Sequence, residues 1–311
     1  MKTYISFDIG GTTIKYGVVD EQGVILEKSA LPTATTAPAI LNDLHQVIES
    51  YTEKYQPEGI GVSIPGIVQK NGFLTTAGAI RSLYGFDLKA ALMKLTKLPI
   101  HIDNDANTAA IAEQWIGSAR GCENYLCLVL GTGFGGGIVI NDQIYRGAHG
   151  MAGEFGWMVT KEIDLTQDLE AKSLNQSSAI VGGLCRQYTL ARQQIEPDYP
   201  GTQDAREILT AAKQGEKLAR VTLDNFYYDL GIGIIDLMAC FDPEVVLVGG
   251  GISVNQEFVT ELVATVNDLK MRHQSLNRIH DLIDIPVKPA KLVNDAGLVG
   301  AAYQIMKEIA R

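Results

Sequence analysis

The chain has 311 residues, of which 46% are hydrophobic and 20% are charged, and its formal net charge is −10. This amount of apolar material is enough for a sizeable core and excludes a disordered chain, and the length predicts two domains or one large α/β unit. An acidic chain without a visible basic face is not typical of a nucleic-acid binder, and no apolar run is long enough for a membrane helix.

In chain order, the first elements predict an α/β fold that begins with a β-hairpin. An apolar strand over residues 4–10 breaks at Gly10-Gly11-Thr12, and a second strand follows over 14–19. Apolar residues at helical spacing predict a helix over 40–51. The next predicted elements are a buried strand over 59–64, a helix at about 87–97, a strand over 99–102 and a helix over 106–116.

The second half begins in the same way as the first. A strand over 125–130, a glycine-rich tip over 131–137 and a returning strand over 138–140 repeat the opening hairpin about 120 residues later, which suggests a duplicated fold. The remaining predicted elements are loops over 160–176 and 196–204, helices from 204 to about 241, a strand over 245–248, a glycine cluster at 249–251, a helix at about 254–272 and a final helix around 298–309. This order favours two α/β lobes.

Three strand-end glycine clusters, at 10–11, 131–137 and 249–251, favour a nucleotide-binding site. Glycine lets backbone amides approach a phosphate chain closely, and amide dipoles bind phosphate without a basic patch. A single cluster is equally well explained as a tight hairpin or a helix-packing turn. Three clusters that include the hydroxyls of Thr12, Thr13 and Thr132 favour the nucleotide.

Other nucleotide-binding motifs do not fit these clusters. GxxxxGK[ST] does not occur in the sequence, which excludes a P-loop. The segment Gly131–Gly136 matches GxGxxG, but the β-branched residues 138–140 follow it where a dinucleotide fingerprint requires a helix. A protein-kinase glycine loop does precede a strand, but no HRD or DFG sequence follows.

Four polar residues stand where chemistry is expected. Asp8 is placed to hold Mg²⁺, directly or through water, or to accept hydrogen bonds from the adjacent turn. Asp105 is either a helix cap or a base that accepts a hydroxyl proton, and Asn104 beside it is placed to orient the same hydroxyl. Glu154 is either a solvated loop residue or an acceptor for sugar hydroxyls. From the residues alone, Lys15 is a strand residue and His149 a loop residue.

Together these segments resemble the ROK family of sugar kinases and regulators, within the actin-like ATPase superfamily. The resemblance rests on DIGGT at 8–12 with Lys15, SIPG at 63–66, NDAN at 104–107, LGTGFGGG at 130–137, AGEFG at 152–156 and VLVGGGIS at 246–253. It implies an α/β, two-lobed actin-like ATPase (ribonuclease H-like) fold with a central cleft. The implied lobes are a smaller one over 1–116 plus 295–311 and a larger one over 117–294.

The same resemblance implies a role for each matching residue. Asp105 would be the catalytic base, and Asp8 would hold Mg²⁺. ATP would be bound by Asp8, Gly10, Gly11, Thr12, Thr13, Lys15, Gly131, Thr132, Gly133, Gly249, Gly250 and Gly251. The sugar would be bound by Gly66, Asn104, Asp105, Glu154, Trp157 and Glu170.

The sequence departs from the family pattern at the zinc site. The motif CxCGxxGCxE is missing, and Trp157 replaces the histidine that serves as zinc ligand and sugar contact. Glu170 stands where the second sugar-binding glutamate is expected, in a degraded motif. With residues 78–81 and 173–175, these features resemble a zinc-free branch that includes bacterial β-glucoside kinases. We therefore expect no zinc, and an aromatic face at Trp157 that stacks on a sugar ring.

These features predict an ATP-dependent sugar kinase that phosphorylates a hydroxyl, most simply O6, of a glucosyl substrate. A β-glucoside such as cellobiose is the first candidate, and glucose or an N-acetylhexosamine is the alternative. Of other classes, a non-catalytic sugar sensor or a sugar-responsive repressor is expected less, because both aspartates and all three glycine turns are retained and the first hairpin begins at residue 4.

The setting of the predicted enzyme also follows from its composition. Four scattered cysteines without a CxxC pattern fit a reducing compartment, and Asp8 interrupts the apolar core that a signal peptide needs. We expect a cytoplasmic protein whose partner is a small-molecule sugar, with neither nucleic acid nor a membrane. The resemblance also allows a homodimer.

Overall fold

A computed structural model describes residues 1–163, 166 and 168–310. The chain divides into two compact units, one of Met1–Glu123, Gly137–Gly153 and Asn294–Arg311 and one of Asn124–Gly136 and Glu154–Val293. The predicted lobes over 1–116 plus 295–311 and 117–294 differ from these units mainly at residues 137–153, and they stay a prediction.

The strands lie where apolar, β-branched segments end at glycine or polar turns. They are β1 (Thr3–Ile9), β2 (Thr13–Asp20), β3 (Ile25–Pro32), β4 (Gly59–Ile64), β5 (Phe73–Leu74), β6 (Phe86–Asp87), β7 (Ile100–Asn104), β8 (Tyr125–Leu130), β9 (Phe134–Ile140), β10 (Gln143–Ile144), β11 (Val245–Gly249) and β12 (Val287–Pro289).

The helices follow the 3.6-residue apolar period. They are α1 (Ala37–Tyr55), α2 (Leu88–Leu92), α3 (Asp105–Ile116), α4 (Leu174–Ser178), α5 (Arg186–Gln193), α6 (Ala205–Lys213), α7 (Lys217–Phe241), α8 (Gln256–Arg272), α9 (Gln274–Ile279) and α10 (Ala296–Ile309). Short 3₁₀ turns lie at Arg81–Leu83, Phe155–Trp157, Leu169–Lys172, Gly251–Val254 and Val293–Asp295, and a π-helical segment lies at Ile180–Cys185.

Two five-stranded sheets repeat one topology. The first has the order β3-β2-β1-β4-β7 and the second the order β10-β9-β8-β11-β12, so both read 3-2-1-4-5 when their strands are numbered separately. In the first sheet β1 pairs antiparallel with β2 and parallel with β4. In the second, β8 pairs parallel with β11, and the unit boundary falls within β9 after Gly136. The duplication predicted from the two hairpins is confirmed.

The core of the first unit is built on β1 and β4, whose apolar side chains are buried, and on the apolar face of α1. α10 contacts β1, β4 and α3. Two glycines allow this close approach, because a Cβ on Gly61 would overlap with the carbonyl of Ala301 and a Cβ on Gly300 with that of Thr108. The carboxyl ends of β1, β4 and β7, where α/β sheets bind ligands, therefore lie beside α3 and α10.

The buried hydrophobic residues of the second unit include those of β8, β11, α7 and α8. All five residues of β11 are buried. Phe258 of α8 packs against Phe226 and Tyr227 of α7, with ring centroids 5.9 and 5.3 Å apart. Aromatic contacts of this kind stabilise the packing of the two helices against each other.

The structure corrects several predicted elements. The helix expected at 87–97 is regular only over α2, and β3 and β12 were not predicted. The glycine tip expected over 131–137 is shorter, because β9 begins at Phe134 and includes Gly136 and Gly137. A Cβ on Gly136 would overlap with the Phe155 ring, and one on Gly137 would lie 2.5 Å from Ala110 Cβ. These two glycines are therefore packing positions in a strand.

The loop expected over 160–176 is also partly wrong. Its last part contains the 3₁₀ turn Leu169–Lys172 and the start of α4, which backbone hydrogen bonds from Ser173 N to Glu170 O and from Leu174 N to Met158 O hold in place. Residues 164, 165 and 167 of the predicted loop lie outside the described residues.

Candidate active site

Asp8 lies at the end of β1 with its carboxylate directed at three neighbours. Ser63 Oγ donates to its Oδ1 at 3.0 Å, and Lys15 Nζ lies 3.5 Å from its Oδ2. A Cβ on Gly297, in the first turn of α10, would overlap with the carboxyl group. Since a helix N-terminus carries partial positive charge, the glycine brings α10 against the carboxylate in a favourable orientation. The alternative role of Asp8, in which its carboxylate accepts hydrogen bonds from the amides of the adjacent turn, has less support, because the Gly10 N–H donates to Thr13 O instead.

The predicted first phosphate turn is ordered by its own backbone. Gly10 O accepts from Thr33 Oγ1 at 2.7 Å, and Thr33 N donates to Thr12 O at 3.0 Å. Gly11, Thr12 and Thr13 are exposed. The turn therefore presents two hydroxyls and a glycine to solvent on a fixed scaffold.

Asn104, and not Asp105, caps helix α3. Its Oδ1 accepts from the amides of Ala106 at 2.8 Å and Asn107 at 3.1 Å, and its Nδ2 donates to Gly66 O at 2.9 Å. The interpretation of Asp105 as the residue that caps α3 is therefore wrong. Asn104 was expected to orient a substrate hydroxyl, and here it also joins the end of β7 to the turn after β4.

Asp105 is half-buried at the first position of α3. Burial, and secondly the negative charge of Asp8, raise its pKa from 3.8 to about 6, against the amide hydrogen bond from Ala106. A carboxylate with a pKa near neutrality is mostly ionised at pH 7 and is still basic enough to accept a proton in a transition state. The arrangement gives Asp105 the properties of a general base.

Asp103, two residues earlier, has a structural role. It is buried, and Arg146 donates to its Oδ2 from Nε at 3.0 Å and from Nη2 at 2.6 Å. Gln304 of α10 donates to the same oxygen, and Asn107 Nδ2 to the other. Arg146 neutralises the charge, and the contacts tie the loop after β10 and helix α10 to the end of β7. Sequence reasoning did not single out Arg146 or Gln304, because their partner is 43 and 201 residues away.

Gly66 is required by the geometry of the turn after β4. Its φ is +97°, and a Cβ there would lie 2.6 Å from the carbonyl oxygen of Thr76. No other residue fits this conformation without strain. Since Gly66 O accepts from Asn104, this turn supports the residue beside Asp105.

The second glycine turn is held by backbone and amide contacts. Gly131 O accepts from the amides of Ile180 at 2.9 Å and Val181 at 3.2 Å. Asn175 Oδ1 accepts from Phe134 N at 2.9 Å. The space at the α-carbon of Gly131 is open, because a Cβ there would meet nothing within 4 Å. The turn therefore leaves room for a ligand.

The third glycine cluster contains three different positions. Gly249 ends β11. Gly250 has a φ of +90°, and a Cβ there would overlap with Leu130 O. Gly251 faces open space, since a Cβ there would meet nothing within 4 Å. Gly250 is therefore needed for packing, and Gly251 leaves space for a ligand.

The predicted sugar-binding residues of the second unit lie on short turns. Glu154 is half-buried just before the 3₁₀ turn Phe155–Trp157, and Trp157 is 45% exposed. Glu170 is exposed and accepts from Ser173 Oγ at 3.2 Å. Asn175 packs against Gly156, where a Cβ would overlap with its Oδ1. Asn175 thus joins this turn to the second glycine turn, a role that sequence reasoning missed.

The first unit brings Asp8, Lys15, Gly66, Asn104 and Asp105 to the carboxyl ends of three neighbouring strands. The turns at 131–133 and 249–251, with Glu154, Trp157 and Glu170, belong to the second unit. Within the described part of the chain, no group of three or more histidine, cysteine, aspartate or glutamate side chains could hold a metal ion. The helices of the same part include none long and apolar enough to cross a membrane.

Comparison with known proteins places the chain among sugar kinases. The ROK family model matches residues 4–308. A β-glucoside kinase of Listeria innocua is 35% identical over 305 residues, which are 97% of each chain. A ROK family glucokinase from Streptomyces griseus, in complex with glucose and AMPPNP, has a TM-score of 0.79 at 30% identity over 98% of this chain and 99% of its own.

A second solved structure is equally close in fold. A ROK family protein from Streptococcus pneumoniae TIGR4, in complex with sucrose, has a TM-score of 0.84 at 28% identity, and the match covers 99% of each chain. The predicted α/β fold of the actin-like ATPase kind is therefore confirmed.

Proposed function

This chain belongs to the ROK family, and on that premise we propose that it is an ATP-dependent kinase that phosphorylates O6 of a glucosyl substrate. A β-glucoside such as cellobiose is the first candidate substrate. The premise fits the relatives, which include a β-glucoside kinase and a glucokinase solved with glucose and AMPPNP.

The observation that carries the proposal is the environment of Asp105. The carboxylate lies at the start of α3 beside Asn104, which caps the helix, and burial and Asp8 raise the pKa of Asp105 to about 6. In the proposed reaction Asp105 Oδ accepts the proton of the sugar hydroxyl while that oxygen attacks the γ-phosphorus. The bond from the γ-phosphorus to the bridging oxygen breaks, and ADP leaves.

Asp8 fits the proposed Mg²⁺ site. Its carboxylate is held by one hydroxyl from Ser63 and by Lys15 at 3.5 Å, which leaves oxygen lone pairs for a cation or its water shell. When bound, Mg²⁺ neutralises charge on the phosphates of ATP. Lys15 also donates to Asn294 O at 3.2 Å, so its ammonium is fixed beside Asp8.

We assign the phosphate and adenosine contacts to the glycine turns. Gly131 and Gly251 leave open space at their α-carbons, which is the cradle that a close backbone approach needs. Gly10, Gly11 and the hydroxyls of Thr12 and Thr13 belong to the first turn in the same proposal. Gly133, Gly249 and Gly250 shape the turns.

The sugar contacts are proposed for Asn104, Gly66, Glu154, Trp157 and Glu170. The exposed Trp157 ring offers a stacking face, and the half-buried Glu154 offers a carboxylate for vicinal hydroxyls. Trp157 in place of the zinc-ligating histidine supports an enzyme without zinc. Metal analysis tests this part, since stoichiometric zinc in the purified protein would contradict it.

A cytoplasmic location and a homodimer complete the proposal. The scattered cysteines support the reducing compartment. Light scattering on the purified protein tests the assembly, and a monomer at micromolar concentration would contradict the dimer.

The substitution Asp105→Asn tests the base directly. It removes the proton acceptor at constant size, so kcat with cellobiose or glucose should fall by about 100-fold or more while sugar binding is largely retained. Asp43→Asn on α1 is the matched control, with turnover close to that of the parent protein. Turnover of Asp105→Asn near the parent value would overturn the assignment.

A further inference from the structure

The first unit contains a cavity of about 490 Å³ that none of the predicted site residues lines. Small-molecule sites occupy about 300–1,000 Å³, so the volume suits a ligand. Two loops form the cavity, residues 67–71 and 75 after β4 and residues 146–151 after β10. The loops touch, because a Cβ on Gly150, whose φ is +81°, would overlap with Val68 O.

Both loops are anchored to the junction that carries Asp105. Gly66 O, at the start of the first loop, accepts from Asn104 Nδ2 at 2.9 Å. Arg146, at the start of the second loop, lines the cavity and donates to Asp103 Oδ2 at 2.6 Å. The two residues to which the loops are anchored, Asp103 and Asn104, directly precede the proposed base. Hydrogen bonds therefore join both cavity loops to the segment that leads into the proposed base.

The chemistry of the lining suits a neutral, polyhydroxylated ligand. The side chains of Gln69, Asn71 and His149 supply hydrogen-bond donors and acceptors, and the lining includes no carboxylate. Gln69 Nε2 donates to Thr75 Oγ1 at 3.0 Å, which fixes the plane of its amide. Asp103 neutralises the charge of Arg146, and the remaining lysine of the lining, the exposed Lys70, can donate a hydrogen bond to a ligand hydroxyl.

Small residues complete the cavity. Gly147, Ala148 and Gly150 lie along the second loop and bring backbone close to the space without filling it. A group covalently joined to the glucosyl unit is the natural occupant, because the same hydrogen bonds anchor the cavity loops and the two residues that precede Asp105.

We propose, resting on the kinase function above, that this cavity is the aglycone subsite, in which the second hexose of a β-linked disaccharide binds while its glucosyl O6 faces Asp105. Binding energy from the second hexose then favours the disaccharide over free glucose. Gln69, Asn71 and His149 are the specificity-determining side chains of the subsite.

The test uses the selectivity ratio, which is kcat/KM for cellobiose divided by kcat/KM for glucose. Ala148→Phe places a ring in the cavity from an exposed position, and the ratio should fall at least about tenfold. His149→Ala removes one hydrogen-bonding ring and should lower the ratio about threefold or more. Ala90→Phe, at an exposed site on α2 outside the cavity, is the matched control and should leave the ratio within about twofold of the parent value.

The outcomes separate the subsite from the kinase function. Phosphorylation of glucose with the same ratio in the parent protein, Ala148→Phe and His149→Ala overturns the subsite and leaves the kinase function standing. If the parent protein consumes no ATP with cellobiose, glucose or any other hexose, the kinase function is overturned and the subsite with it. Thermal unfolding of each variant verifies that it is folded, and His149→Ala decides the matter if Ala148→Phe does not fold.

Discussion

The two glycine-rich hairpins, β1–β2 and β8–β9, have the same strand order around them but carry different chemistry. In the first, Asp8 stands one residue before the end of β1 and is paired across the hairpin with Lys15. The corresponding position of β8 is Val129. Around the second turn the contacts are made by backbone amides and by the side-chain amide of Asn175.

This difference indicates how a duplicated sheet can divide two tasks. The first hairpin supplies charge, since Asp8 contacts Ser63 and Lys15 and also raises the pKa of Asp105. The second supplies space and backbone donors, since Gly131 is open at its α-carbon. Removal of charge should therefore matter in the first hairpin, and addition of volume in the second.

Among substitutions in the two hairpins, the largest effect is expected from Asp8→Asn, which removes the carboxylate charge from the first hairpin. We expect kcat to fall by about 100-fold, because the carboxylate proposed to hold Mg²⁺ at the phosphates of ATP is lost. The same change should move the pKa of Asp105 in the free protein down from about 6, since Asp8 is one cause of the raised value. The acid limb of kcat/KM and a carboxyl NMR titration measure the two effects.

Val129→Ala is the control at the equivalent position of the second hairpin. It removes no charge, so kcat and the acid limb should stay close to those of the parent protein. If Val129→Ala and Asp8→Asn lower kcat equally, the division between the two hairpins is wrong.

An intermediate effect is expected from volume added to the second hairpin. Gly131→Ala points a methyl group into open space, so the protein should fold normally while KM for ATP rises about tenfold. Gly250→Ala should instead lose about 1–3 kcal/mol of unfolding free energy, because its φ of +90° and the overlap with Leu130 O strain any larger residue. Thermal unfolding and ATP kinetics distinguish the pair, and unchanged KM in Gly131→Ala would contradict the phosphate assignment.

The parts of the fold that depend on local patterns could be predicted from the sequence. The strands of both hairpins are largely apolar and meet at a glycine-containing turn, and helix α3 begins at the last residue of the Asp103-Asn104-Asp105 run. β12, which was missed, has only three residues, and the helix predicted at 87–97 overestimated α2. Short elements give too few residues for a period to be recognised.

The contacts that give the polar residues at 103–105 different roles are made with residues distant in the sequence. Asp103 is neutralised by Arg146 and accepts a further hydrogen bond from Gln304, and Gly297 lies against Asp8 from the other end of the chain. Nothing in the spacing of one sequence indicates such pairs, so the sequence alone left Asp105 open as either a helix cap or a base. The assignment of site residues itself stays a prediction that the substitutions above test.

The smallest expected effect is a change in thermal stability, in which two carboxylates of the first unit should have opposite pH dependence. The pKa of Asp105 is raised to about 6, so the folded state holds that proton more tightly than the unfolded state and loses stability as pH rises from about 4 to 6. The His101 hydrogen bond, with Lys89, lowers the pKa of Glu308 to about 2, so its stabilisation is present above about 4.5 and is lost as pH falls toward 2. At pH 8, Asp105→Asn should therefore raise Tm by about 2 °C or more, whereas Glu308→Gln should lower it. At pH 3 both differences should shrink, and a Tm for Asp105→Asn below that of the parent protein at pH 8 would show that the charge of Asp105 is stabilised by contacts other than those described.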